Sequence, residues 1–407
     1  MIKKNLQQLS SRMLIMLYHQ LAVIITLPWL ALKLSPSVFG LVSTALILIQ
    51  TGWVLIDWGL INYSTEIWKR NSSLAKRNSL ITNLIASRQL LSIIYLIFIL
   101  ILIGLGVIIL PWQFLLPFVL STFVGAIFPL WFFHVNRSTK ELLSITLISR
   151  LIFVCLVMLM VRDDSDVITY LYLHSLSFLV ITFYSFYRMR VKYFFYWQGF
   201  SINKVNLHIK KSTAFFINSL TNSHVHIIWS FAVTITQGPI IIGLYSIAEQ
   251  GYRAGSAVSN SVAEVLRLNS KDLSILKIWR VTFFYMASYF FVGCISFIFA
   301  DTIVRLFFEP EYYGSIYILK ILIGVWLIQS YIKLLNYPLL GKLITISKLH
   351  EMSSYILIAH LIIIALWFYF KGGIDWFTLS FFSASLIQLS LLIIRIKHQL
   401  NLKKNIF

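Results

Sequence analysis

The sequence predicts an all-α polytopic membrane protein of about twelve transmembrane helices, arranged as two parallel six-helix bundles around a central cavity. Three observations carry this. Apolar residues make up 59% of the 407, only 12% are charged, and the mean hydropathy is +0.83, which a water-soluble chain of this length does not reach. Apolar stretches of about 20 residues, the length that crosses a bilayer as helix, recur from Met13 to Arg395. Runs such as 93–110 are continuously apolar and lack the alternation of a barrel strand.

The spans are expected near 13–32, 38–62, 88–109, 112–133, 142–161, 167–187, 213–237, 240–265, 278–300, 315–338, 351–370 and 374–394. The first run is too long for a signal peptide and has no small-residue cleavage site, so it reads as span one. Cys155 and Cys294 both fall inside spans, which suggests packing rather than a disulfide or metal site. No cofactor is expected.

The net charge of +20 does not point to nucleic acid, because of where it sits. With both termini cytoplasmic, 26 of the 34 Lys and Arg fall on the cytoplasmic side. Lys33, Arg162, Arg305 and Lys371 fall outside, and Arg150, Arg253, Lys320 and Lys333 within spans. That asymmetry is the positive-inside rule and orients the chain.

The basic stretch 188–211 divides the spans six and six, giving an N-terminal half 1–187, a cytoplasmic linker 188–211 and a C-terminal half 212–407. The first hairpin of each half carries P-x-x-x-G-L-x-S, Pro36 to Ser43 and Pro239 to Ser246, at an offset of 203. The halves therefore read as parallel repeats, an arrangement in which transporters hold substrate between halves and alternate access.

Polar groups inside the spans mark the candidate site. On span eight, Glu249, Arg253, Ser256 and Asn260 project within about 60° of one another. A charge at mid-bilayer costs at least about 2.5 kcal/mol, so this stripe lines a wet cavity or pairs internally. Glu249 and Arg253 are also spaced to pair with each other. The offset of 203 matches span two, where Gln50 corresponds to Arg253 and Asp57 to Asn260. Asp57 is a cavity residue or an interhelical hydrogen-bond partner.

Span seven contributes Asn222, Trp229 and nearby His226, with Asn218 and Thr236 on the same arc. Span one repeats Arg12, His19, Thr26 and Lys33. Arg150 sits in the middle of span five, suited to a phosphate or pyrophosphate by its planar fork, or else paired with an acid of another helix. Lys320 and Lys333 lie near span ends, where a lysine can snorkel.

Enzyme signatures are missing. Gly341-Lys342 lacks the glycine spacing of a phosphate-binding loop, and His224 and His226 point to different sides of a helix. The longest outer loop, 301–314, is short for an active site.

Two segments carry a resemblance to a known family. Leu34-Ser-Pro-Ser-Val-Phe-Gly40-Leu41 runs on to Ile56-Asp57-Trp-Gly59-Leu60, and Ile242-Gly243-Leu-Tyr245-Ser-Ile-Ala248-Glu249 opens span eight. They resemble the O-antigen and polysaccharide flippases (Wzx-like), in the superfamily of multidrug and toxic-compound extruders and lipid II flippases. Gln250 stands where the family has a lysine, and Arg253 is the nearest replacement cation.

The resemblance implies a multi-pass protein of the bacterial inner membrane that flips undecaprenyl-pyrophosphate-linked oligosaccharide to the periplasmic leaflet. Membrane lipids, a polysaccharide polymerase and a chain-length regulator are its implied partners. In such a cavity Arg253 and Arg150 would neutralise pyrophosphate, while Asn, Ser, Gln and Trp side chains would meet sugars. Asp57, Glu249 and His226 could carry protons. The competing readings are a drug/cation antiporter of the same superfamily, which favours an acidic cavity, and a membrane polysaccharide polymerase or ligase, which needs a long periplasmic loop.

Overall fold

The computed structural model describes residues 14, 18, 21–68, 73–136, 138–269, 274–336, 340, 346–370 and 372–404, and among them it is helical without strands. Nine helical segments there are long and apolar enough to cross a membrane. The shorter apolar helices α1 (Leu21–Lys33) and α10 (Val225–Thr236), with the more polar α11 (Pro239–Asn269), give every expected span a helical segment, some of them broken in two. Arg12 and His19 lie outside the described residues.

Several spans differ from their expected limits for local reasons. Span two is α2 (Pro36–Asp57) and α3 (Leu60–Trp68), separated where Trp58 (φ 43) and Gly59 (φ 71) turn left-handed. Span three, α4 (Leu74–Gly104), begins fourteen residues earlier than its apolar run, so Arg88 lies inside it. Ser73 caps it, accepting from Lys76 N.

Span four is broken. α5 (Leu115–Ile127) and α6 (Leu130–Val135) meet at Pro129, whose missing N–H and fixed φ stop a helix. α7 (Lys140–Met160) and α8 (Val167–Tyr193) follow. α8 ends with Phe194 at φ 55 and Phe195 N–H returning to Met189 O at 3.1 Å, a Schellman-type closure.

Span seven, expected as one helix, is two. α9 (Ile202–Asn222) starts within the basic linker, and α10 begins at Val225. Asn222 and Ser223 stand at the break, side chains that compete for backbone hydrogen bonds. α12 (Ile275–Phe307), α13 (Ser315–Leu335), α14 (Ile346–Tyr369) and α15 (Ile374–Lys404) complete the chain.

The chain divides into two compact units. Unit 1 is 1–219 with 226–243, and unit 2 is 220–225 with 244–407. In unit 1, α5 packs on α2, α4 and α8, and α8 on α7. Trp68, Trp131, Phe132, Phe133 and Met189 form an aromatic core at one end. Also in unit 1, the two repeat motifs meet: a Cβ on Gly40 would lie 1.9 Å from Pro239 O, so only glycine permits that approach.

In unit 2, α13 is central, packed between α12 and α15. Its core includes Ile278, Ile328, Ile332 and Leu392. α12 turns Phe283, Phe284, Phe290, Phe291 and Ile298 outward. Only 17% of its most apolar window is buried, as expected of a helix that faces lipid.

Candidate functional site

α11 carries the expected polar stripe. Arg253 Nη2 donates to Glu249 Oε1 at 2.8 Å, with side chains 5% and 1% exposed. Ser256 is buried and Asn260 half-buried. The pair satisfies part of its desolvation internally, yet Arg253 Nε makes no hydrogen bond. Two residues on, Gly255 lies against the Trp326 indole, whose Nε1 donates to Ser259 Oγ at 3.1 Å. This fixes one face of α11 against α13.

Asn222 belongs to unit 2 but to a different cluster. Its Nδ2 donates to Ser353 Oγ at 3.4 Å, and its Oδ1 accepts from Asn336 Nδ2. Gln388 extends the cluster: its Nε2 donates to Thr221 O at 3.3 Å, and its Oε1 accepts from Gln329 Nε2 at 3.1 Å. His360 Nε2 is 3.2 Å from the same oxygen. An amide oxygen only accepts, so this nitrogen carries the hydrogen.

The other candidates lie in unit 1. Gln50 and Asp57, two turns apart on α2, are half-buried. Asp57 stands at the α2 C-terminus, where the helix dipole opposes a negative charge, and its electrostatic partner is Arg88. Trp229 is wholly enclosed and Ser230 caps back onto His226 O at 2.8 Å; His226 itself is half-buried.

Arg150 is enclosed between α7 and α8. Its Nη1 donates to Ser177 Oγ at 3.0 Å, and its guanidinium sits 3.9 Å from the Phe178 ring centroid and 5.8 Å from that of Phe153. The aromatic faces offset its desolvation.

Two buried cations differ from their sequence reading, Arg88 in position and Lys333 in burial. Arg88 is 6% exposed and donates from Nη1 to Phe128 O at 2.9 Å and from Nη2 to Gly125 O at 3.1 Å. The Gly125 carbonyl would bond to the N–H four residues on, which Pro129 lacks. Arg88 therefore closes the break in span four. Arg and Pro forty residues apart give no local signal, and Arg88 stood at the edge of its apolar run. Lys333 is 3% exposed rather than snorkelled; its spacing to Gln329 and Asn336 was the available signal.

The long apolar helices with buried charges form a multi-span helical bundle, and solved structures share its fold. The chain is similar to the lipid II flippase MurJ in an inward closed conformation (14% identity, TM-score 0.66, covering 98% of this chain and 88% of that one). It is similar also to an inward-facing multidrug resistance MATE family transporter of the MOP superfamily (12% identity, TM-score 0.61, 97% and 96%). A third is a MOP superfamily transporter from Pyrococcus furiosus (12% identity, TM-score 0.52, 98% and 96%). At these identities the likeness is one of fold.

The family is given by sequence. Residues 6–266 match the model of the polysaccharide biosynthesis protein family, and the chain belongs to that family. No curated protein matches it by sequence.

Proposed function

We propose that this protein is a flippase of the bacterial inner membrane. It moves undecaprenyl-pyrophosphate-linked O-antigen or other polysaccharide repeat units from the cytoplasmic to the periplasmic leaflet by alternating access. The observation that carries the reading is the family match over 6–266. The fold shared with a lipid II flippase and the buried charges of α11 support it.

The chemistry of the substrate suits those groups. A pyrophosphate needs a cation with two aligned donors, which a guanidinium supplies. Arg253 binds it by exchanging Glu249 for the phosphate oxygens. The exchange releases Glu249, whose carboxylate must then meet water or take a proton, because a buried charge without its partner is costly. Hydroxyl and amide side chains such as Ser256 and Asn260 then take sugar hydroxyls. The lipid tail stays in the bilayer, and no covalent step is needed. Both termini and the 188–211 stretch face the cytoplasm, following the charge asymmetry.

A drug/cation antiporter is the second reading, favoured by the MATE fold at TM-score 0.61. Deletion of the gene separates the two. The flippase reading expects surface polysaccharide chains to disappear and to return with a plasmid-borne copy, with drug susceptibility unchanged. Normal polysaccharide with increased drug sensitivity would select the antiporter.

A further inference from the structure

The helix that supplies Gln329 to the Asn222–Gln388 cluster carries a cation that the proposed site does not use. Lys333 shares one face of α13 with Gln329 and Asn336, at spacings of four and three. The three side chains are 3%, 0% and 1% exposed. Among the described residues, three of their atoms have no hydrogen-bond partner: Lys333 Nζ, Gln329 Oε1 and Asn336 Oδ1. A donor and two acceptors are thus left open on one face of α13.

The charged and titratable groups around Lys333 do not balance an ammonium. On α13 itself, Lys320 lies thirteen residues earlier, about 20 Å along the helix, and is paired with Asp301 of α12. α12 otherwise carries the cations Lys277, Arg280 and Arg305, with Tyr285, Tyr289 and Cys294. On α11, Glu249 is held by Arg253. α14 contributes His360, bound to Gln388, while its Glu351 is exposed. Asp375 of α15 is exposed too, and Arg395 on that helix is a further cation. His224, between α9 and α10, acts on Lys333 electrostatically, and a protonated imidazole would repel it. Among the described residues no carboxylate forms an ion pair with Lys333.

An ammonium cut off from water and from a counter-charge costs several kcal/mol. Lys333 can therefore be enclosed or protonated, and the two exclude each other. We infer that Lys333 is a proton-binding site of unit 2, empty when the polar layer is closed as here and filled when the layer opens to water. On opening, the Nζ lone pair takes a proton from water and becomes an ammonium; on closing, it returns the proton to water. Each open–closed cycle thereby moves one elementary charge on and off the protein, which couples the conformational equilibrium to proton activity. This use of the site as a transport coupling rests on the proposed flippase reading; the proton linkage itself does not.

The test is hydrogen exchange on the full chain in nanodiscs without substrate, read as protection factors for 329–336 so that the intrinsic pH dependence of exchange is removed. One linked proton changes the opening equilibrium about tenfold per pH unit. In the wild type, protection should fall by about that factor per unit of acidification over a window below about pH 10, where an exposed lysine holds its proton. Lys333→Met should remove this dependence and keep the segment protected, with Lys333→Gln as the second neutral variant if the first does not fold. Lys333→Arg should be poorly protected at every pH. A wild type without the dependence, or a neutral variant that keeps it, overturns the inference. Since no substrate is present, failure here is distinct from failure of the polysaccharide phenotype.

Discussion

Arg253 and Glu249 form a 2.8 Å ion pair within one turn of α11, both side chains at least 95% enclosed. A pair of this kind adds little net stability, but breaking it strands a charge at a cost of about 3–5 kcal/mol. Arg253→Ala should therefore lower the thermal midpoint of the purified protein more than the double change Glu249→Leu with Arg253→Met. Both variants should fail in surface polysaccharide assembly at wild-type protein level. Lys320→Ala, which removes a partly exposed pair with Asp301, should retain assembly. A functional, well-expressed Arg253→Ala would remove this residue from the substrate path.

Arg88 and Pro129 form a coupled pair through the backbone of span four. Arg88→Leu takes this donor from the half-buried Gly125 O and Phe128 O, a loss of about 1 kcal/mol for each group. Pro129→Ala restores an N–H that can reach Gly125 O. Combined with Arg88→Leu, it should recover part of the lost thermal stability, whereas alone it should gain little. Additive effects in this double-mutant cycle would show that Arg88 does not serve the break.

Gly59 has φ +71, and a Cβ there would lie 2.4 Å from Phe216 N. Gly59→Ala is expected to reduce the folded yield strongly, because strain and a backbone clash act together. Gly104→Ala, with nothing within 4 Å, should leave yield unchanged. Size-exclusion profiles of the two variants make the comparison.

His208, outside the membrane spans, is held below the ordinary histidine range, first by burial and then by Lys204 and Lys211. Its Nδ1 lies 3.4 Å from Tyr63 Oη. The folded state keeps this ring neutral while the unfolded chain protonates near pH 6.5, so stability is present above that value and declines as pH falls through it. His208→Gln should flatten the decline in the thermal midpoint between about pH 6.5 and 5. An unchanged slope would assign the decline to other groups.

Hydropathy made the fold legible, since a lipid-facing helix such as α12 must be largely apolar. The Glu249–Arg253 pair was legible because its partners sit four apart on one helix. The layer joining Asn222, Gln329, Asn336, His360 and Gln388 was not, because its members come from four helices, and single amides in apolar runs carry no marker of their partners. The break in span seven escaped because Asn222 and Ser223 are tolerated within membrane helices. The break of span four at Pro129 was not read from the sequence either, and its consequence for Arg88 needed the third dimension.

The central claim is translocation, and it is tested by the leaflet in which lipid-linked repeat units stand. In spheroplasts of a deletion strain, single units should accumulate and be protected from an impermeant sugar-cleaving reagent. Units of a strain lacking only the polymerase should be cleaved. Re-expression of the protein in the deletion strain should render the units accessible, and Arg253→Ala should not. Units already accessible in the deletion strain would contradict the account, because they would have crossed the membrane without this protein.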